Sequence, residues 1–161
     1  MTEANLTLKM DSYSNPDAIE NTISYINRLE NPYKYYYGVW PPSTENAIRL
    51  FHQTREMFPQ NTCSQQVQHL IISFRKLKDI GLICQFANQI ALLFSENYPV
   101  CYALHDDTEH LHIHFIISAT SYIPNVRPLM IETLISFIPK LRQIAFSHNI
   151  NIKEVIKKMP K

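Results

Sequence analysis

The sequence predicts an α+β domain, with a central, mostly antiparallel sheet and flanking helices. Three observations carry this expectation. Short apolar or alternating runs interchange with longer runs of helical periodicity along the chain. Two of the short runs, 99–104 and 111–119, are consecutive and joined by a brief polar loop, which forces them antiparallel. A length of 161 residues, 45% hydrophobic and 18% charged, suits one domain with a buried core. A single domain over 1–161 is therefore expected.

The elements follow in order. ANLTLKM (4–10) alternates Leu6 and Leu8 with polar neighbours, the pattern of a short strand. Ser14 or Asn15 can then cap a helix whose first position is Pro16. Ile19, Ile23 and Ile26 share one face of it, and Asn31-Pro32 ends it. The tyrosines of 33–44 favour a strand and its prolines limit it, with Trp40 expected to pack. Ser43 or Thr44 opens a second helix that runs through Phe58, with Ile48, Phe51 and Arg55 spaced as one face. VQHLIISF (67–74) is short, apolar and β-branched, so it reads as a central strand. A long helix is expected over 76–96, then the two strands 99–104 and 111–119. Residues 129–148 form a last long helix, kinked or split at Pro139. NIKEVIKK is expected to add a turn or short helix.

Composition excludes some classes. A net charge of +1 is too small for a protein wrapped around a long duplex, though it permits a local basic groove. Cys63, Cys84 and Cys101 form no CxxC pair and read as reduced thiols, which predicts a cytoplasmic protein. The first residues lack the pattern of a secretory signal, and no apolar stretch is long enough to insert in a membrane.

The stretch HDDTEHLHIHFIIS (105–118) holds four of the seven histidines. It is either a polar hairpin end or a metal site. Alternation along a strand puts His112, His114 and Ile116 on one face and Leu111, Ile113, Phe115 and Ile117 on the other. If His105 lies across from His112, Ala103 falls opposite His114 and Cys101 opposite Ile116. A slip of one residue would set His105 against Leu111, on the wrong face. The register that satisfies the apolar pattern thus also gathers three imidazoles. Three histidines from adjacent strands can hold a divalent ion and leave positions open for water or substrate. Asp107 could orient one imidazole through its second nitrogen. His110, at the loop end, is an occasional ligand or substrate contact.

These residues also carry a family likeness. His105-x-Asp107-x-x-His110-x-His112-x-His114, followed by an apolar strand, resembles the third motif of conjugative relaxases. These are the mobilisation nucleases of the HUH endonuclease superfamily, here the branch with the H-x-D-x-x-H-x-H-x-H motif. QHLIISF (68–74) resembles the HFxxSF strand of that branch, and SYINR (24–28) its first motif, which carries a tyrosine. ENAIRLFHQTREMF (45–58) and LRQIAFSHNINI (141–152) resemble its flanking helices. One departure is Ser118, where members commonly carry Asn.

The resemblance implies a relaxase-like fold and a metal-dependent endonuclease and transesterase. Its substrate would be single-stranded DNA at the nick site of a transfer or mobilisation origin. His105, His112 and His114 would bind Mg²⁺ or Mn²⁺, and Tyr25 would attack the scissile phosphate to leave a 5′-phosphotyrosine. Asp107 would orient or handle a proton, and His69 would make a minor contact. Tyr25 falls off the isoleucine stripe of its helix and competes as nucleophile with Tyr33, Tyr35, Tyr36 and Tyr37, which could also form a base-stacking platform. Arg28, Lys34, Tyr36 and Arg75 are candidate DNA contacts, and accessory mobilisation proteins are possible partners. A replication-initiation or transposase-type relative, a DNA-binding remnant without catalysis, and a hydrolase that activates water remain alternatives.

Overall fold

A computed structural model describes residues 4–157. Its centre is a six-stranded sheet in the order β2-β4-β5-β3-β1-β6. The strands are β1 (Ala4–Tyr13), β2 (Lys34–Tyr36), β3 (Val67–Phe74), β4 (Val100–His105), β5 (Leu111–Ser118) and β6 (Ile150–Lys157). All neighbouring pairs are antiparallel except β1 and β6, which run parallel. The helices are α1 (Ala18–Ile26), α2 (Thr44–Met57), α3 (Ile80–Ser95), α4 (Ile131–Ile135) and α5 (Ile138–Ser147). The fold class is the α+β expected.

Helices cover both faces of the sheet. On one face Leu8, Met10, Leu70, Ile72, Phe74, Leu104, Ile113 and Phe115 pack with α3, α4 and α5. On the other, Val67, Cys101, Ala103 and Ile116 meet Ala18, Ile19, Ile23 and Ile26 of α1 and Ala47 and Phe51 of α2. This second cluster is smaller, and the polar site opens beside it. The larger core sets the stability. Phe86 of α3 is fully buried, its ring edge-on to Phe74 with centroids 6.0 Å apart. Phe86→Ala should cost about 3–5 kcal/mol, read as a lower urea midpoint at unchanged slope.

Local chemistry moves several boundaries. The strand expected over 4–10 continues to Tyr13, because Lys9, Asp11 and Tyr13 keep alternating with buried Leu8 and Met10. Neither Ser14 nor Asn15 caps α1. The Asn15 carbonyl closes a turn onto Ala18 N–H at 3.0 Å, Pro16 stays outside, and the helix starts at Ala18. It stops at Ile26, where the Asn27 side chain donates to Ile23 O at 3.0 Å. The α2 start falls where predicted: Ser43 Oγ accepts from Asn46 N–H at 3.0 Å. Ser43→Ala should lower stability by about 1 kcal/mol, measurable as a small shift in denaturation midpoint. The helix expected from 76 begins at Ile80, capped by Asp79, whose Oδ1 accepts from Leu82 N–H. Pro139 splits rather than kinks the last helix, entering the first turn of α5.

The largest correction is at the C-terminal end. Residues 151–157 of NIKEVIKK are not a turn or helix but most of β6, which pairs with β1, and Lys158 lies outside the described residues. Ile150 and Ile152 alternate with exposed Asn151 and Lys153 and are buried against the larger core. Burial of that alternating face outweighs the weak helical preference of Lys and Glu. Trp40, expected to pack, is 89% exposed.

Candidate metal centre and nuclease site

The β4–β5 hairpin has the register that the apolar pattern required. His105 lies across from His112, Ala103 from His114, and Cys101 from Ile116. One ring nitrogen each from His105, His112 and His114 lies within 4.8 Å of the others. His105 and His114 are buried and His112 partly so. The small Ala103 beside His114 leaves the imidazoles room to converge, with ring centroids 4.2 to 5.3 Å apart.

The hydrogen bonds fix how each ring is turned. His105 Nε2 donates to Ile26 O at 2.7 Å, and its Nδ1 is buried without a partner among the described residues. His112 Nδ1 donates to His110 O at 3.0 Å, which leaves Nε2 on the cluster side. His114 Nδ1 meets His69 Nε2 at 2.8 Å, and its own Nε2 is buried with no partner among the described residues. Buried polar atoms without partners are rare and costly. Here two of them sit in one three-histidine cluster, each on the nitrogen opposite an anchored one. That is the donor set a divalent ion requires.

Burial first, and then the neighbouring His69, His105 and His112, hold the His114 imidazole down to about 2. Burial likewise lowers His105, and lowers His69 to about 4. Burial thus favours the neutral forms of His105, His114 and His69, and a neutral His105 or His114 has a lone pair available for ligation.

Tyr25 is brought to this cluster by the bond that anchors His105. Ile26 O is in the last turn of α1, so the His105 bond ties that turn to the end of β4. The Tyr25 ring lies 6.2 Å from that of His105 and 6.0 Å from that of His114, edge-on to both. It is 50% exposed and borders a cleft of about 500 Å³ with Lys9, Tyr13, Asn21, His69 and His114. The competing tyrosines sit elsewhere. Tyr33, Tyr35 and Tyr37 pack on the opposite face of the sheet, Tyr35 stacked on Tyr102 at 5.3 Å. Tyr36 is on the histidine face, but its hydroxyl is paired with Thr44 Oγ1 at 3.2 Å.

The other sequence candidates divide. Arg28 lies 4.1 Å over the Tyr25 ring and donates to Asp107 Oδ2 at 3.1 Å. Asp107 Oδ1 is 3.7 Å from His112 Nε2, the nitrogen on the cluster side. The group that orients His112 is thus the His110 carbonyl, and Asp107 lies on the cluster side of that ring. The His110 side chain is exposed and outside the cluster. Lys34 is engaged, donating to Asn27 O at 2.9 Å. Arg75 is exposed one residue beyond the end of β3, beside a separate cleft lined by Leu6, Thr7, Lys153 and Glu154. Asp11 and Tyr13, near His69, were not among the sequence candidates. The signal for them was the continued alternation of β1 past Met10.

A family model described as the MobA/VirD2-like relaxase nuclease domain matches residues 25–126. This chain belongs to that relaxase family. The match covers more than half of the sequence and spans Tyr25, β3 and the histidine hairpin. No curated protein matches the chain. The relaxase domain is a nuclease of the nicking type, which fits a site of metal-binding character over a half-exposed tyrosine. No helix among the described residues is long and apolar enough to cross a membrane.

Proposed function

We propose that this relaxase domain nicks single-stranded DNA at a transfer or mobilisation origin by transesterification onto Tyr25. The observation that carries the reading is the convergence of unpartnered histidine nitrogens beneath the Tyr25 ring. His105, His112 and His114 would hold Mg²⁺ or Mn²⁺. Such an ion, when bound, polarises a phosphate oxygen and offsets charge that builds on it.

The remaining chemistry falls to the chain. Tyr25 Oη attacks the scissile phosphorus as the P–O3′ bond breaks. The product is a 5′-phosphotyrosine and a free 3′-OH, so the bond energy is retained for rejoining. The phenol proton is assigned to Asp107, which Arg28 links to the Tyr25 ring. The departing O3′ takes up a proton in turn. Arg28 holds Tyr25 from one side and offers positive charge to the phosphate. Arg75, exposed at the hairpin end of β3, is assigned to the DNA backbone. Lys34 and Tyr36, already bonded within the fold, support the ends of α1 and α2.

The test is incubation with Mn²⁺ and single-stranded oligonucleotides tiled from the surrounding gene region. A protein–DNA band that survives denaturation is expected on one tile. Folded, metal-loaded protein that captures none would favour a binding module. Cleavage without capture would favour a hydrolase that activates water.

A further inference from the structure

We propose that Asp11, Tyr13 and His69 form a hydrogen-bonded chain behind His114 that fixes which of its ring nitrogens carries the proton. The chain would thereby hold His114 as a metal ligand. The inference rests on reading the three histidines as a metal site.

His105 and His112 are each anchored on a backbone carbonyl, those of Ile26 and His110, near the ends of their elements. His114 has no such option. It lies in the middle of β5, which is paired on both sides, to β3 and to β4. The carbonyls around it serve the ladders, so a side chain must take its second nitrogen. His69 does this. It is buried on β3, diagonal to His114 on the same face, with His69 Nε2 and His114 Nδ1 2.8 Å apart.

That contact alone does not say which ring donates. If His69 donated, a neutral His114 would carry its proton on Nε2, pointing into the cluster, and could not ligate. The groups behind His69 decide the direction. Tyr13 Oη is 3.4 Å from His69 Nδ1 and also 3.4 Å from Asp11 Oδ2. Asp11 stands directly across from His69 on β1, and its other oxygen accepts from Ser12 N–H at 2.9 Å. An ionised carboxylate can only accept. Tyr13 therefore donates to Asp11, His69 Nδ1–H donates to Tyr13, and His69 Nε2 is left to accept from His114 Nδ1–H. With the donors in this order, the lone pair of His114 is left on Nε2. That is the nitrogen found buried without a partner. Groups placed behind a ligand in this way tune metal affinity about 10–100-fold.

The test compares Tyr13→Phe, His69→Leu and His69→Gln with the parent protein. Two quantities are measured: Mn²⁺ affinity by calorimetry, and the His114 tautomer by long-range proton–nitrogen NMR of the metal-free protein. The parent should show the Nδ1–H tautomer. His69→Leu should bind Mn²⁺ about 10–100-fold more weakly and lose tautomer preference. Tyr13→Phe keeps the ring and removes only the hydroxyl, so it should fold normally and lose about tenfold. His69→Gln retains an acceptor and a donor and should recover much of the affinity. Unchanged affinity in Tyr13→Phe, or in folded His69→Leu, overturns the proposal, as does an Nε2–H tautomer in the parent. If the parent itself binds no Mn²⁺, the metal site falls first and the chain with it. Tyr13→Phe carries the test if His69→Leu does not fold.

Discussion

Tyr25→Phe should abolish covalent capture of DNA while leaving the fold and Mn²⁺ binding intact. The expected loss of strand transfer is on the order of 10⁴-fold or more, as for removal of other enzymic nucleophiles. The structural reason for selectivity is that the Tyr25 hydroxyl makes no hydrogen bond among the described residues. The Tyr25 ring is held by Arg28 at 4.1 Å and by edge contacts to His105 and His114, all of which phenylalanine can make. At 50% exposure the ring contributes little to either core. Stability should stay within about 0.5 kcal/mol of the parent. Gel detection of the denaturation-resistant band, beside a thermal melt, checks both halves of the expectation.

His112→Ala has the second large effect and a different signature. It would remove one of the three proposed ligands, the one on the more accessible side of the cluster, where burial is only partial. Loss of the ion's charge stabilisation is worth several kcal/mol, so nicking should fall about a thousandfold. The metal-induced gain in stability should disappear as well. For the parent, Mn²⁺ at a hundred times its dissociation constant should add about 2.7 kcal/mol, and a chelator should reverse it. In His112→Ala the melting temperature should no longer respond to either. A variant that loses nicking but keeps the full metal response would move the ion away from His112.

Much of this site was legible because strand alternation is unforgiving. Leu111, Ile113, Phe115 and Ile117 had to face a core, and that alone set the register that aligns His105 with His112. The isoleucine stripe of α1 was equally plain, and it left Tyr25 off the buried face. Other features depend on contacts distant in sequence. The turn of the His112 ring is set by a backbone carbonyl, not by Asp107, and no spacing of residue types reveals that. The pairing of Arg28 with Asp107 on the hairpin loop was also hidden, because a lone basic residue carries no sign of its partner in the sequence. Tyr13 and Asp11 enter the site because β1 runs three residues further than its apolar pattern first suggested. β6 was hidden by charge: Lys153, Glu154 and Lys157 mask an alternating Ile150 and Ile152, and only pairing with β1 settles the matter.

Mass analysis of the captured protein tests the central claim most directly. The Mn²⁺-dependent adduct would be treated with nuclease, digested with protease, and searched for a peptide carrying a residual nucleotide. The mass increment is expected on Tyr25, joined through a 5′-phosphate, and absent when the reaction is run with His112→Ala. An increment on Tyr13 or on any tyrosine from 33 to 37 would contradict it, because the nucleophile would then not be the ring seated over the three histidines.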